Sequence, residues 1–273
     1  MTSKDIARFI GQKTGLRKMG YCFIHLTTLR EWYIFRALRR ILKESQSPVT
    51  ALDAGFGLGQ HTYYLARQPQ VSRLLAIEQD AELVRDFQSF LQRQGLDQVR
   101  LLNGDIQQVE IEGLYDIILC CSVMEHVKDD ESLLQRFHAH LSAQGSLLIY
   151  VPTSERRVFK HLEKRIAALT KQSGEKMPHG HVRYDQPDEI TAKLEKTGFA
   201  VKRKEISYGP YGRIAYDTVT SVQYSPFFKV LFPFYVLFVH PFILLLMLVD
   251  LHRHNEEGNG LLIVAHKPAA QTT

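Results

Sequence analysis

An α/β fold, an open and mostly parallel sheet with helices on both faces, is predicted for this 273-residue chain by three observations. Apolar runs of strand length alternate with segments of helical period from Val49 to His266, the pattern of strand–helix–strand units. The first run, VTALDA from Val49, passes at once into Gly55, Gly57 and Gly59 and then into a helix ending near Ala66. A strand entering a helix through glycines forms a nucleotide-type pocket, because glycine turns at positive φ and lets a ligand approach the backbone. The run YDIILCCS from Tyr115 is nearly all apolar, as a strand covered on both faces must be.

Taken in order, residues 3 to 18 start with Ser3 as N-cap and carry Ile6, Phe9 and Ile10 at helical spacing, with Gly11 and Gly15 weakening the helix. Leu26 to Leu42 is the better helix, its apolar stripe of Leu26, Leu29, Tyr33, Leu38, Ile41 and Leu42 flanked by Arg30, Arg36, Arg39 and Arg40. Such a helix suits an anionic membrane surface, and equally a place over the cofactor pocket with its basic face in water. Arg73 to Asp80 is the second strand, with Glu78 at its carboxyl end, where an acid accepts two hydrogen bonds from vicinal ribose hydroxyls. Ala81 to Gln94 is a helix that buries Leu83, Phe87, Phe90 and Leu91 and stops at Gly95. Strands follow at Val99 to Asp105, Tyr115 to Ser122 and Ser146 to Val151, with a helix from Asp129 to Leu141 before the last of them. Pro187 to Thr197 is a helix, Ala200 to Tyr208 the sixth strand, and Gly260 to His266 the last, after the turn NEEGNG.

The spacing Asp53-x-Gly55-x-Gly57-x-Gly59 departs from the dinucleotide fingerprint, which needs glycine where Gln60 stands, and it lacks the Gly-Lys-Ser/Thr ending of a phosphate loop. It resembles the first motif of the class I S-adenosylmethionine-dependent methyltransferases, and four matched segments in order extend the resemblance to about Val151. Within that family the sequence is most similar to the small-molecule and lipid methyltransferases of the ubiquinone-biosynthesis type. The resemblance implies a Rossmann-like seven-stranded sheet and S-adenosyl-L-methionine as cofactor. It implies cofactor contacts for Asp53, Gly55, Gly57 and Gly59, for Glu78 and Gln79 at the ribose, and for Asp105 and Ile106 at the adenine. The hexapeptide SVMEHV resembles the family's post-strand segment, which implies Ser122 and Glu125 at the cofactor and His126 near the methyl. His126 can act as a base, or bond the backbone and hold the cofactor. His181, Arg183, Tyr184 and Asp188 resemble the segment that closes over the acceptor, within a lid at 153–185. His126, His181 and His179 are the candidate bases, since histidine titrates near working pH, and Tyr184 is the candidate to orient the acceptor. His179 and His181 have the spacing of two metal ligands, but no third is evident nearby and methyl transfer does not generally require one, so no metal is expected.

Residues 209–259 are an insertion where a plain fold would use a hairpin, and Pro226 to Leu251 within it holds only Lys229 and Asp250 as charges. That run is long enough to cross a bilayer at ~1.5 Å per residue, but a single crossing would separate the last strand from its sheet. The expectation is a re-entrant or interfacial helical hairpin broken at Pro233 and Pro241; the alternatives are a cap on the domain or a dimer interface.

The first 44 residues carry ten Lys/Arg against three acids, a net +7 in a chain of net +5, which favours anionic surfaces as partners. No nucleic-acid module or interleaved aromatic–basic stretch is present, so nucleic acid is not an expected partner. Cys22, Cys120 and Cys121 lack C-x-x-C spacing and fit a reducing interior, and no secretory signal opens the chain. The expected organisation is basic helices at 1–44, a cofactor domain at 45–208, the apolar insertion at 209–259 and a last strand and tail at 260–273. The expected function is O-methylation of a lipid or other hydrophobic acceptor, monotopic on the cytoplasmic membrane face. The alternatives are a soluble methyltransferase of a sugar or polar metabolite that dimerises through the insertion, and a non-catalytic membrane scaffold that binds an adenosyl ligand.

Overall fold

Alternation along the apolar runs builds the sheet. In the strand Tyr115–Cys121, Ile117 and Leu119 enter one core and Ile118 and Cys120 the other, so each face needs its own cover of helices. The computed structural model describes residues 14–45, 48–154, 156–173, 186–223 and 232–268, with positions 182, 184, 225 and 227. Its strands are β1 (Val49–Ala54), β2 (Val71–Glu78), β3 (Val99–Asn103), β4 (Tyr115–Cys121), β5 (Leu141–Pro152), β6 (Ala200–Ser207) and β7 (Gly260–His266). They form one sheet in the order β3-β2-β1-β4-β5-β7-β6, with β7 antiparallel between β5 and β6 and the first five parallel. The order reverses between β1 and β4, and the crevice at the carboxyl ends of those two strands is where such sheets bind ligands.

The helices are α1 (Thr14–Thr27), α2 (Leu29–Glu44), α3 (Gln60–Ala66), α4 (Ala81–Gln94), α5 (Asp130–His140), α6 (Lys160–Ser173), α7 (Pro187–Lys196), α8 (Pro210–Gln223) and α9 (Phe232–His252). On one face α2, α4 and α9 bury Ile34, Leu38, Phe87, Phe90, Ile243 and Met247; on the other α5 and α7 bury Leu133, Leu134, Phe137, Ile190 and Leu194. A fully buried Leu, Ile or Phe contributes roughly 1.5–3 kcal/mol, so α2 is held firmly to the sheet.

Two expectations change. The helix expected at 3–18 lies mostly outside the described residues; the described α1 runs on through Gly20 to Thr27 and breaks at Thr28, before α2. Both helices belong to the main core, and several of their arginines are used internally: Arg17 pairs with Asp86, and Arg36 and Arg40 with Glu205. α2 therefore takes the place over the pocket, and its stripe is not available to a membrane.

The apolar insertion is not broken at Pro233 and Pro241. Pro233 is the second residue of the described α9, and Pro241 follows His240 after a π-turn at Tyr235–Val239 that widens the backbone ahead of it. The outgoing arm of the hairpin is instead α8, which packs along α9, and α9 returns the chain to β7 in the sheet it left. Asp250, read only as a rare charge, ties the pair to α2: it is fully buried, with the Tyr33 hydroxyl 3.0 Å from Oδ1 and the Gly212 N–H donating to Oδ2 at 2.9 Å.

Candidate active site

The loop after β1 is shaped by its glycines. Gly55, Gly57 and Gly59 have φ of +79°, +55° and +84°, values that residues with a Cβ rarely adopt. A Cβ on Gly57 would meet nothing within 4 Å, so the loop backbone faces open space. That space is a cavity of about 690 Å³ at the switch point, within the ~300–1,000 Å³ typical of small-molecule sites.

Glu78 ends β2 at the rim, where its Oε2 accepts from Gly57 N–H at 2.9 Å and its Oε1 from Asp80 N–H at 3.0 Å. Backbone amides thus fix both carboxylate oxygens and leave lone pairs for a ligand's hydroxyls. Gln79, Asp105 and Ile106 line the same cavity; Asp105 also accepts from Gln107 N–H at 2.9 Å, so it caps its turn and faces the cavity at once. Removing Glu78 takes away two charge-assisted acceptors: Glu78→Ala is expected to raise the Kd of a hydroxyl-bearing ligand of this cavity by about 10- to 100-fold, read by calorimetry.

A second cavity of about 370 Å³ adjoins the first and shares Arg30, Ser122 and His126 with it. Tyr150, Tyr208, Tyr216 and Arg157 complete much of its wall. Burial drives the Tyr150 and Tyr208 phenols well above their ordinary range despite the Arg30 charge, so both stay protonated at neutral pH. Arg157 lies 3.1 Å from the buried Asp217 and 4.6 Å from the Tyr216 ring centroid. Ser122 and Tyr208 both sit at positive φ, 55° and 54°, local strain held at the site by the surrounding sheet.

The expected site residues divide between these places. Gly55, Gly57, Glu78, Gln79, Asp105 and Ile106 line the first cavity, and Ser122 and His126 line both. Glu125, expected at the cofactor, lines the second cavity, because the 3₁₀ turn Met124–His126 carries it past the loop. Asp53 and Gly59 line neither. Asp53 is buried behind the loop, its Oδ2 accepting from the Thr62 hydroxyl at 2.6 Å, and Gly59 abuts the Phe87 ring. Tyr184 is half-buried and lines neither cavity, although Val182 two residues earlier donates to Glu125 O at 2.8 Å. His179 and His181 lie outside the described residues.

The arrangement also contains residues that the sequence reading passed over. Arg30 lines both cavities, donates to Ser122 Oγ at 3.0 Å and lies 3.3 Å from Glu31, which is itself fully buried and 2.8 Å from His61 Nε2. Burial opposes the charge on Glu31, but His61 and Arg30 outweigh it and hold the carboxyl at about 2. Glu31 falls at helical spacing with Ile34, Leu38 and Ile41, so an acid on the buried stripe was a readable signal.

A family described as a methyltransferase domain matches residues 26–204. The ubiquinone biosynthesis O-methyltransferase of Rickettsia akari (strain Hartford) is 22% identical over 187 residues, 68% of this chain and 72% of that protein. The trans-aconitate 2-methyltransferase of Azoarcus sp. (strain BH72) is 29% identical over 103 residues, covering 38% of this chain and 39% of its own length. Among solved structures, the [4+2]-cyclase SpnF superposes with a TM-score of 0.58 at 15% identity, over 86% of this chain and 81% of that one. The N-methyltransferase NodS from Bradyrhizobium japonicum WM9 superposes with a TM-score of 0.51 at 16% identity, over 87% and 96%. These two structures share the fold, and their different chemistries leave the acceptor to be argued from the site.

Proposed function

On the premise that this chain belongs to the class I S-adenosyl-L-methionine-dependent methyltransferases, we propose that it methylates an oxygen of a lipid or other hydrophobic acceptor at the cytoplasmic face of a membrane. The observation that carries the acceptor class is the outer face of α9. This helix is long and apolar enough to cross a bilayer, yet its most apolar window is only 22% buried, and Leu237, Phe238, Phe242 and Leu245 stand exposed along it. Because α8 leaves β6 and α9 runs back into β7 of the same sheet, a helix lying in one leaflet accounts for that face and a crossing does not. Met19, Phe23 and Leu26 of α1 extend the apolar surface, with the Phe23 and Phe232 rings 5.8 Å apart.

Bound S-adenosyl-L-methionine supplies a sulfonium-activated methyl group. Glu78 is the ribose acceptor, Asp105 and Ile106 form the adenine side, and the glycine loop lets the backbone close on the ligand. Arg30 is the one Arg or Lys lining the first cavity among the described residues, and so is the partner for the ligand's carboxylate. In the second cavity the protonated Tyr150 and Tyr208 orient an acceptor oxygen through hydrogen bonds. His126 faces both cavities and takes the proton that the hydroxyl must lose.

The test is a partition assay: purified protein, methyl-labelled S-adenosylmethionine and total cell extract, followed by phase separation. Label is expected in the organic phase; label confined to aqueous products would overturn the lipid reading and favour a polar acceptor, with the α9 face as a dimer interface. Independently, Phe238→Ser with Phe242→Ser removes roughly 1.5 kcal/mol or more per ring. Binding to phosphatidylcholine vesicles is expected to fall by about a hundredfold while cofactor affinity stays unchanged; vesicle binding equal to wild type would remove α9 from the membrane.

A further inference from the structure

A third cavity, of about 580 Å³, lies between α1, α2 and α3. It is built by one side of each helix: Lys18, Tyr21, Cys22 and His25 from α1, Phe35 and Arg39 from α2, and Tyr63 and Tyr64 from α3 with Arg67 just past its end. Lys18, Arg39 and Arg67 are exposed on its rim, and among the described residues no Asp or Glu lines it and none of the three cations has a carboxylate within ion-pair distance. The contrast with the rest of this segment is informative. Arg17, Arg30, Arg36 and Arg40 all have carboxylate partners, whereas Lys18 and Arg39, without one, meet Arg67 at this concavity. The Arg67 guanidinium carbon lies 5.6 Å from the Tyr63 ring centroid, and Arg39 donates from Nε to Phe35 O, so two of the cations are already oriented.

Position adds to charge. Lys18, Tyr21 and His25 occupy one side of α1, while Leu16, Met19, Phe23 and Leu26 project from the adjoining side as exposed apolar groups. The cation-lined cavity and the apolar face therefore lie within about one helix diameter of each other, ~10–12 Å. That is the depth over which a phospholipid passes from acyl chain to phosphate, and an interfacial helix sinks ~5–10 Å into this zone. A soluble anion has no need of the apolar neighbour.

We propose that this cavity receives the phosphate of an anionic phospholipid when the α1 and α9 faces enter the membrane, fixing the orientation of the enzyme on the surface. The proposal rests on the membrane reading given above. The cations complement the headgroup charge, the tyrosine rings provide an amphipathic wall at headgroup level, and α1 joins the two contacts.

The test compares the full chain with Lys18→Gln/Arg39→Gln/Arg67→Gln and with a charge-matched control, Arg100→Gln/Lys196→Gln/Lys202→Gln. The control residues are exposed cations elsewhere, each paired with a carboxylate. Cosedimentation is measured with phosphatidylcholine vesicles and with phosphatidylcholine–phosphatidylglycerol vesicles, and cofactor affinity verifies that each variant is folded. Juxtamembrane cations contribute about fivefold each, so the first variant is expected to lose about a hundredfold on anionic vesicles and nothing on neutral ones. The control is expected to lose less than about fivefold. Equal losses in the two variants would overturn the site. Wild-type binding that is the same on both vesicle types would also overturn it while keeping the membrane reading; no binding to either would overturn both. Saturable binding of inorganic phosphate, abolished in the first variant while its vesicle binding is untouched, would assign the cavity to a soluble phosphate and overturn the lipid proposal.

Discussion

Glu31→Gln is expected to destabilise the protein by about 3 kcal/mol at neutral pH and to loosen Arg30 at the same time. Glu31 is fully buried between His61 and Arg30, and removing one member of a buried charged cluster leaves its partners uncompensated. The carboxyl is held at about 2 against an ordinary value of 4.5, which is worth about 3 kcal/mol of linkage. Because folding depresses this pKa, the contribution is complete above pH 4.5 and fades as pH falls toward 2. Denaturant unfolding followed from pH 7 downward should therefore show wild type and variant separated by a constant gap that narrows only below about 4.5. For a chain of this size the gap at pH 7 corresponds to a fall of roughly 5–10 °C in Tm. A gap that does not change with pH would mean that shape, rather than charge, is what Glu31 supplies. Cofactor affinity should fall as well, because Arg30 reaches the first cavity from the residue next to Glu31.

Gly55→Ala carries the second large effect. The residue sits at φ +79°, and a Cβ there would run into the Val123 side chain, which lines the first cavity. The backbone term costs about 1–2 kcal/mol and the overpacking about 1–3 kcal/mol more. Gly95→Ala is the comparison that separates them, since Gly95 has φ +63° at the end of α4 but nothing within 4 Å of the added Cβ. It should cost only the backbone term and leave cofactor binding untouched. Gly55→Ala should lower stability further and weaken cofactor binding by at least tenfold, measured by thermal shift and calorimetry on the same preparations. Equal effects from the two substitutions would show that the Val123 contact does not shape the pocket.

Much of the first cavity was legible in the sequence because its determinants are local. Three alternate glycines after an apolar run predict a positive-φ loop wherever they occur, and Glu78, Asp105 and Ser122 follow strands whose apolar runs mark their ends to within a few residues. The second cavity was not legible in this way. Tyr150, Arg157, Tyr208 and Tyr216 stand on a strand, a loop, a strand end and a helix, and no spacing connects them before the sheet brings β5 beside β7 and β7 beside β6. His126, the one candidate base among the described residues, was legible and lines both cavities.

The basic segment at the N-terminus shows where local reading stops. Its amphipathic stripe is visible in the sequence, but a stripe does not name its partner, and four of its arginines look alike until Asp86, Glu31 and Glu205 come within reach. The apolar insertion shows the same limit: two prolines read as breaks, whereas a π-turn before Pro241 lets one helix continue. By itself the sequence determined the α/β class, the glycine-loop pocket and the presence of an apolar segment before the last strand, because periodicity and backbone conformation are set within a few residues. Only the tertiary structure decided which arginines are spent inside the core, which three cations, Lys18, Arg39 and Arg67, remain unpaired at a cavity, and which face of α9 is left to the surroundings. Those outcomes depend on the burial and pairing of groups up to about two hundred residues apart, and a charge or an apolar face has no fixed meaning until its partner is in place.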